Sequence, residues 1–274
     1  FTASLYRSDD GTQSWQRITN GLPRRGVQQV VVSPAFAQDS TLFAALMATD
    51  EGLGIWKSTD GGDSFSKLNE WFINDPAYTH ADIHTLKFFN NKLYACTDGG
   101  LYVTEDGGQT FQDYSAGIAV GQFYRLSVSP QDPGIMIGGL QDNGGQILGG
   151  SQWNNYHGGD GMDNVIDPGN ASIVYGFIQF GGVLNISTNS GQTIGQVGAP
   201  FNDSGDRIQG NWITPLAIDG DGQVYAGYNA VYRLNGNDWE QLSSALGQGI
   251  EDLEVSQNNN QILYAAEGDD LYRS

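Results

Sequence analysis

The sequence predicts an all-β chain organised as a β-propeller of four-stranded blades, and three observations carry that expectation. An acidic octet, Ser58-Thr59-Asp60-Gly61-Gly62-Asp63-Ser64-Phe65, recurs with near-copies from Ser8 to Trp15 and from Thr104 to Phe111, and a worn copy from Ser187 to Ile194. Each octet follows a short apolar-aromatic run, as in Leu5-Tyr6-Arg7, Ile55-Trp56-Lys57 and Leu101-Tyr102-Val103. A second unit precedes these: a β-branched run, a Pro-containing turn and another apolar run, best seen from Gln28 to Pro34 and from Thr41 to Ala45. Together they give four strands in a repeat of about 40 to 50 residues, the period of propeller blades.

The octet is a hairpin tip. Its Asp and Ser side chains are suited to bonding backbone N–H groups, its Gly takes positive φ at little steric cost, and the closing aromatic is expected to pack on the next strand. The strand pairs continue along the chain at 124–130 with 135–138, 165–168 with 173–177, 215–219 with 224–227, and 253–256 with 262–266. Third strands start near Leu5, Ile55, Leu101, Ile147, Leu184, Val231 and Leu271, seven starts enclosing six intervals. Six blades in one domain over residues 1–274 are expected, with seven as the alternative. Leu5-Tyr6-Arg7-Ser8 reappears as Leu271-Tyr272-Arg273-Ser274, which also suits a slice of a longer repeat array.

Composition narrows the function. With 12 basic against 31 acidic residues the formal net charge is −19, which argues against a nucleic-acid partner because phosphate binding depends on clustered Lys and Arg. No stretch approaches the roughly 18 apolar residues of a membrane helix, so no membrane span is expected in this chain. The start Phe1-Thr2-Ala3-Ser4 has no signal-peptide pattern, so an exported protein would carry its targeting segment outside the sequence shown. The single cysteine, Cys96, lies in an apolar run and reads as an inert buried thiol; cysteine-rich zinc sites are excluded. Many Asp residues fall in Gly-rich turns, where calcium is the hard cation such oxygens would take; otherwise no cofactor is expected.

The Ser/Thr-x-Asp-x-Gly-x-Thr/Ser-aromatic pattern resembles the Asp box of bacterial-neuraminidase-type (BNR) repeats, found in the propellers of sialidases, xyloglucanases and sortilin-type receptors. The box residues are Ser8, Asp10 and Trp15; Ser58, Asp60, Gly62 and Phe65; Thr104, Asp106, Gly108 and Phe111. All are read as scaffold. A further stretch, Gly138-Gly139-Leu140-Gln141-Asp142-Asn143-Gly144 followed by His157-Gly158-Gly159-Asp160-Gly161, resembles a signature of large secreted bacterial proteins with such repeats. The resemblance implies export to the cell surface or beyond, and membership of a larger extracellular assembly.

Site candidates follow from blade topology. Loops joining second to third strands share one face with loops leading into the next blade, opposite the octet tips. There Gln141, Asp142, Asn143, His157 and Asp160 are expected to converge as ligand-binding residues, with calcium at Asp142 and Asp160 as one use; the alternative is that both Asp residues bond backbone amides. His157 taken singly reads as a surface-loop histidine. Trp71 and Trp212, on long irregular loops, are candidate stacking surfaces for a sugar or anchors for a protein partner. Asp98, Asp142 and Asp160 are the carboxylates available to a two-acid glycosidase. A sialidase is disfavoured, because the Arg-Ile-Pro motif is absent and Arg7, Arg233 and Arg273 occupy the scaffold position before a hairpin tip. His80 and His84 form a spaced pair that suits a metal or, more simply, a loop-to-strand transition. The expected function is a non-catalytic extracellular binding or structural module contacting a glycan or a protein. The alternatives are a glycoside hydrolase and an architectural segment of a filament or adhesin.

Overall fold

The computed structural model describes residues 4–18, 20–23, 26–46, 53–69, 75–118 and 121–274. Arg24, Arg25, Asp50, Glu51, Trp71 and Phe72 lie outside the described residues. The chain is all-β, made of antiparallel sheets with propeller-blade topology, and it divides into two compact units, Phe1–Val120 and Gly121–Ser274.

In the first unit, β1 (Tyr6–Arg7) and β2 (Gln16–Arg17) form a hairpin. Two four-stranded sheets follow: β3 (Val27–Val32), β4 (Leu42–Leu46), β5 (Gly54–Ser58) and β6 (Ser66–Lys67); then β7 (Ile83–Phe89), β8 (Lys92–Thr97), β9 (Gly100–Thr104) and β10 (Gln112–Asp113). A single helical turn, α1 (Phe36–Asp39), lies in the β3–β4 connection.

The second unit holds three complete sheets: β11 (Phe123–Val128), β12 (Met136–Leu140), β13 (Gly144–Gly149) and β14 (Gln152–His157); β15 (Gly161–Ile166), β16 (Val174–Ile178), β17 (Val183–Ser187) and β18 (Gly195–Gly198); β19 (Leu216–Ile218), β20 (Val224–Gly227), β21 (Val231–Asn235) and β22 (Asp238–Gln241). A three-stranded sheet of β23 (Asp252–Val255), β24 (Leu263–Glu267) and β25 (Asp270–Arg273) ends it. Strands pair in sequence order throughout, so every connection within a sheet is a hairpin. The duplicated Leu-Tyr-Arg-Ser segments sit in β1 and β25, two separate sheets, each in the strand position that leads toward a hairpin tip.

Blade packing explains why the strand cores read as unbroken apolar runs. All five residues of β4 are buried, and they divide between two cores. Leu42, Ala44 and Leu46 pack with Leu22 and Phe65, while Phe43 and Ala45 pack with Ile83, Leu86 and Leu93 of the following sheet. A sheet buried on both faces has no solvent side to which polar residues would alternate. The same division recurs in the second unit, where Leu216 and Val224 face the preceding sheet and Ala217 and Tyr225 face the following one.

Basic residues before the tips reach forward to the next tip. The Arg7 guanidinium donates to Gly61 O at 3.0 Å and to the Asp63 carboxylate, and Lys57 Nζ donates to Gly107 O at 2.8 Å. These two cations clamp successive sheets, whereas Arg233 at the same repeat position pairs within its own sheet, with Glu240 at 2.6 Å. Inner strands are stitched similarly: Leu86 N–H donates to Gln29 Oε1 at 2.6 Å, and Leu216 N–H to Asp163 Oδ2 at 2.9 Å.

Two expectations are corrected. Cys96 is exposed, because Leu93 and Ala95 take the buried side of β8 and the period-two alternation turns Cys96 outward. Trp15 is 59% exposed, unlike its counterpart Phe65 at 5%; Phe65 packs in a core with Leu22, Leu42, Ala44 and Leu46, whereas Trp15 lies in a two-stranded hairpin just before β2.

Candidate functional site

The three acidic tips share one wiring. In the second, Ser58 Oγ–H donates to Asp60 Oδ1 at 2.7 Å and accepts from Gly62 N–H at 2.9 Å, while Asp60 accepts Ser64 N–H at 2.9 Å and the Ser64 hydroxyl. Asp10 and Asp106 repeat it, taking the N–H groups of Ser14 and Thr110 at 2.9 and 3.0 Å. Gly108 N–H donates to Thr104 Oγ1 at 2.9 Å, as Gly62 does to Ser58. Donors crowding each carboxylate favour its charged form. The Ser14 hydroxyl and N–H pull Asp10 down to about 2, the Thr110 N–H and hydroxyl do the same for Asp106, and the Ser58 and Ser64 hydroxyls depress Asp60 further. These carboxylates act as turn scaffold.

At the opposite end of the sheets the Gln-Asp-Asn-Gly and Gly-Gly-Asp-Gly segments do meet. The β12–β13 turn places Asp142 at φ 58°, and its N–H donates to Asp160 Oδ1 at 2.8 Å. Asn143 Nδ2 donates to Gln141 O at 3.0 Å, closing the turn on itself. Asp160 N–H in turn donates to Gln179 Oε1 at 3.2 Å, passing the connection to the next β16–β17 turn. One carboxylate oxygen of Asp160 is therefore used in joining loops.

The glycines of this signature serve close packing. A Cβ on Gly139 would stand 2.0 Å from Met162 O, and one on Gly161 would stand 2.0 Å from Gly144 O. Adjacent sheets touch backbone to backbone here, which only glycine permits. His157 departs from expectation: it ends strand β14, is 8% exposed, stacks edge-on against Tyr156, and places Nδ1 3.0 Å from Gly158 O. Burial lowers its pKa, which favours the neutral imidazole. The loop is thus only residues 158–160, and His157 belongs to the wall beneath it.

Trp212 stands on the same end of the unit, 41% exposed and firmly held. Its ring meets Phe180 edge-on at 5.0 Å and Tyr124 at 6.4 Å, and Phe180 N–H donates to Trp212 O at 3.1 Å. Phe180 has φ 60°, a conformation that a non-glycine residue keeps only when its surroundings enforce it. Neighbouring Asn211 donates through Nδ2 to Gly249 O and Ile250 O at 3.1 and 3.0 Å. Asp142, Asp160, Gln179, Phe180 and Trp212 thereby form a continuous strip of cross-linked loops. Tyr124 falls at a register shift at the start of β11, and such bulges re-aim side chains. Sequence reading missed Phe180 and Tyr124, since neither lies in a motif.

Asp98 lies in the first unit. Its Oδ1 is 2.7 Å from His84 Nε2, so His84 is tied to a carboxylate, while His80 Nδ1 lies 3.2 Å from Ala81 O. The raised carboxyl of the second unit is Asp163, pushed up to about 6 by burial and placed on β15 between the N–H groups of Leu216 and Asn164. It was not a candidate in the sequence, where only its strand pattern was legible.

No family model matches the chain, and no curated protein matches it significantly. Among solved structures it is similar to an ancestral GH74 enzyme at 19% identity and a TM-score of 0.44, over 96% of this chain and 38% of that one. A GH74 xyloglucanase from Xanthomonas campestris gives 18% and 0.42 over 99% and 45%, and the WD40 β-propeller domain of Doa1 gives 11% and 0.42 over 98% and 84%. The chain thus spans less than half the length of these two GH74 enzymes.

Proposed function

We propose that this chain is an extracellular, non-catalytic propeller module of the Asp-box type that binds a glycan through the loop strip of its second unit. The observation that carries this reading is Trp212: an exposed aromatic surface fixed by two ring contacts and a backbone hydrogen bond. A rigid aromatic face stacks on the apolar face of a sugar ring without ordering a side chain on binding, and the amide groups of Gln141 and Asn143 supply hydrogen-bonding chemistry along the same strip. Membership of a larger surface assembly suits such a module. A glycan array probed with the whole chain, with and without calcium, tests it. Retained fold with lost binding in Trp212→Ala is expected, and equal binding by wild type and variant refutes the strip as the site.

One observation favours a second reading, glycoside hydrolysis. The hydrogen bond from Asp142 N–H to Asp160 Oδ1 at 2.8 Å sets two carboxylate-bearing residues side by side, and a pair of carboxyl groups is what a two-acid glycosidase uses. Release of reducing ends from a polysaccharide, abolished in Asp142→Asn and Asp160→Asn alike, would establish that reading over the first.

A further inference from the structure

The second unit is poor in cations, and the loop strip shares that bias. Residues 121–274 contain no lysine, and their only arginines are Arg125, Arg207, Arg233 and Arg273, greatly outnumbered by Asp and Glu in a chain of net charge −19. Each of the four is already engaged. Arg233 Nη2 donates to Glu240 at 2.6 Å, and the Arg273 guanidinium lies 5.9 Å from the centre of the Tyr264 ring. Arg207 is laid on the Phe201 ring at 3.9 Å and donates to Ala199 O, so its guanidinium folds back onto its own loop. Arg125 Nη1 donates to Tyr124 O at 3.1 Å, and its charge is felt by the buried Asp163 carboxyl.

The strip itself presents carboxylates. Asp142 and Asp160 are both half-buried there. Asp160 accepts the Asp142 N–H on Oδ1 at 2.8 Å, while no hydrogen bond or ion pair from a described residue reaches its Oδ2. Its backbone is held by the Gln179 side chain, and the residue after Gln179 is Phe180, the ring that braces Trp212. A free carboxylate oxygen and a fixed indole therefore stand on one strip. The face of an indole attracts cations as well as C–H groups, and does so more strongly than the other aromatic rings. A half-buried carboxylate also pairs with an ammonium more firmly than a fully exposed one, because less water screens the pair.

We propose, resting on the glycan-binding reading above, that the strip selects amine-bearing sugars: glucosamine units whose ring C–H face stacks on Trp212 and whose protonated C2 amine meets the free oxygen of Asp160. Asp142 adds to the local negative field, and the amides of Gln141 and Gln179 receive hydroxyls along the strip. Neutral glycans keep the stacking and lose the ion pair. Carboxylated or sulfated glycans are repelled, since the strip offers them no free cation and the whole chain is acidic.

Titration calorimetry of the whole chain with three β-1,4-linked pentasaccharides that differ only at C2, those of glucosamine, N-acetylglucosamine and glucose, tests the preference. The glucosamine chain is expected to bind about tenfold more tightly than the other two, a margin that shrinks as salt is added. Trp212→Ala is expected to abolish its binding. Asp160→Asn keeps an acceptor for the Asp142 N–H and is expected to weaken binding about fivefold. Asp132→Asn, the same change of charge in the β11–β12 turn at the opposite end of the sheets, is expected to leave binding unaltered. If Asp160→Asn does not fold, Asp142→Asn takes its place, and unchanged affinity in the folded variant overturns the proposal. Equal or tighter binding of a neutral pentasaccharide, still abolished by Trp212→Ala, overturns the amine preference and leaves the glycan-binding strip standing. Equal weakening by Asp160→Asn and Asp132→Asn overturns it too, as diffuse attraction of a cation to an acidic chain. Binding that survives Trp212→Ala overturns it together with the strip as the site, and absence of glucosamine binding overturns it whatever the other sugars do.

Discussion

The acidic hairpin tips of the first unit and the glycine-rich seam of the second are written in the same residues, Asp and Gly, yet use them oppositely. At the tips, Gly61 takes φ 73° with its nearest would-be Cβ neighbour 4.0 Å away, so conformation alone demands glycine there. At the seam, Gly139 and Gly161 do not have positive φ, and glycine is demanded by another backbone at 2.0 Å. The carboxylates differ as well. Asp60 accepts a ring of local donors within seven residues, whereas Asp160 accepts an N–H eighteen residues away and joins two sheets. The difference shows that a motif's composition does not say whether it serves local turn geometry or blade-to-blade contact.

The contrast can be broken from its strongest side first. Gly161→Ala is expected to destabilise the second unit by about 3 kcal/mol, because neither backbone segment can yield to the added methyl, and urea denaturation measures it. Gly61→Ala is expected to cost only about 1–2 kcal/mol, the strain of a left-handed residue in open space. Equal losses at the two sites would remove the distinction.

Charge sharpens it further. The worn tip keeps the wiring with an amide: Ser187 Oγ–H donates to Asn189 Oδ1 at 3.0 Å, Thr193 N–H to the same oxygen at 2.9 Å, and Asn189 Nδ2 donates to Thr193 Oγ1. Asp10 and Asp106 have folded pKa values near 2, below the ordinary 3.8. Their contribution to stability is therefore present above the unfolded value and is lost as pH falls through about 2. Amide exchange followed on acidification should show Ser14 and Thr110 N–H losing protection while Thr193 N–H keeps it. Asn189→Asp should transfer the acid sensitivity to the fourth tip, with little change in melting temperature at neutral pH. An Asn189→Asp tip that stays indifferent to acid would show that local wiring does not set the titration.

The blade pattern was legible because strand runs and tip octets are local: side-chain alternation, positive-φ glycines and Asp-to-amide bonds act within a few residues. The meeting of the Gln-Asp-Asn-Gly and Gly-Gly-Asp-Gly loops was legible too, since consecutive hairpins must return to one end. His157 reads from the sequence as a surface-loop residue, whereas it ends β14 and pairs with Gly145 of β13. Tyr156 and Phe180 were invisible, for the value of each lies in a neighbour supplied by another sheet or loop.

By itself the sequence determined the all-β blade repeat, the scaffold role of the octets and the loops that lie side by side, because each follows from short-range backbone preference and meander topology. Only the tertiary structure decided which glycines touch another backbone, that His157 is walled in, that Trp212 is braced, and that the Tyr156 hydroxyl is left unpaired at a seam. Those outcomes depend on how one sheet's face meets the next, a fit that no single strand encodes.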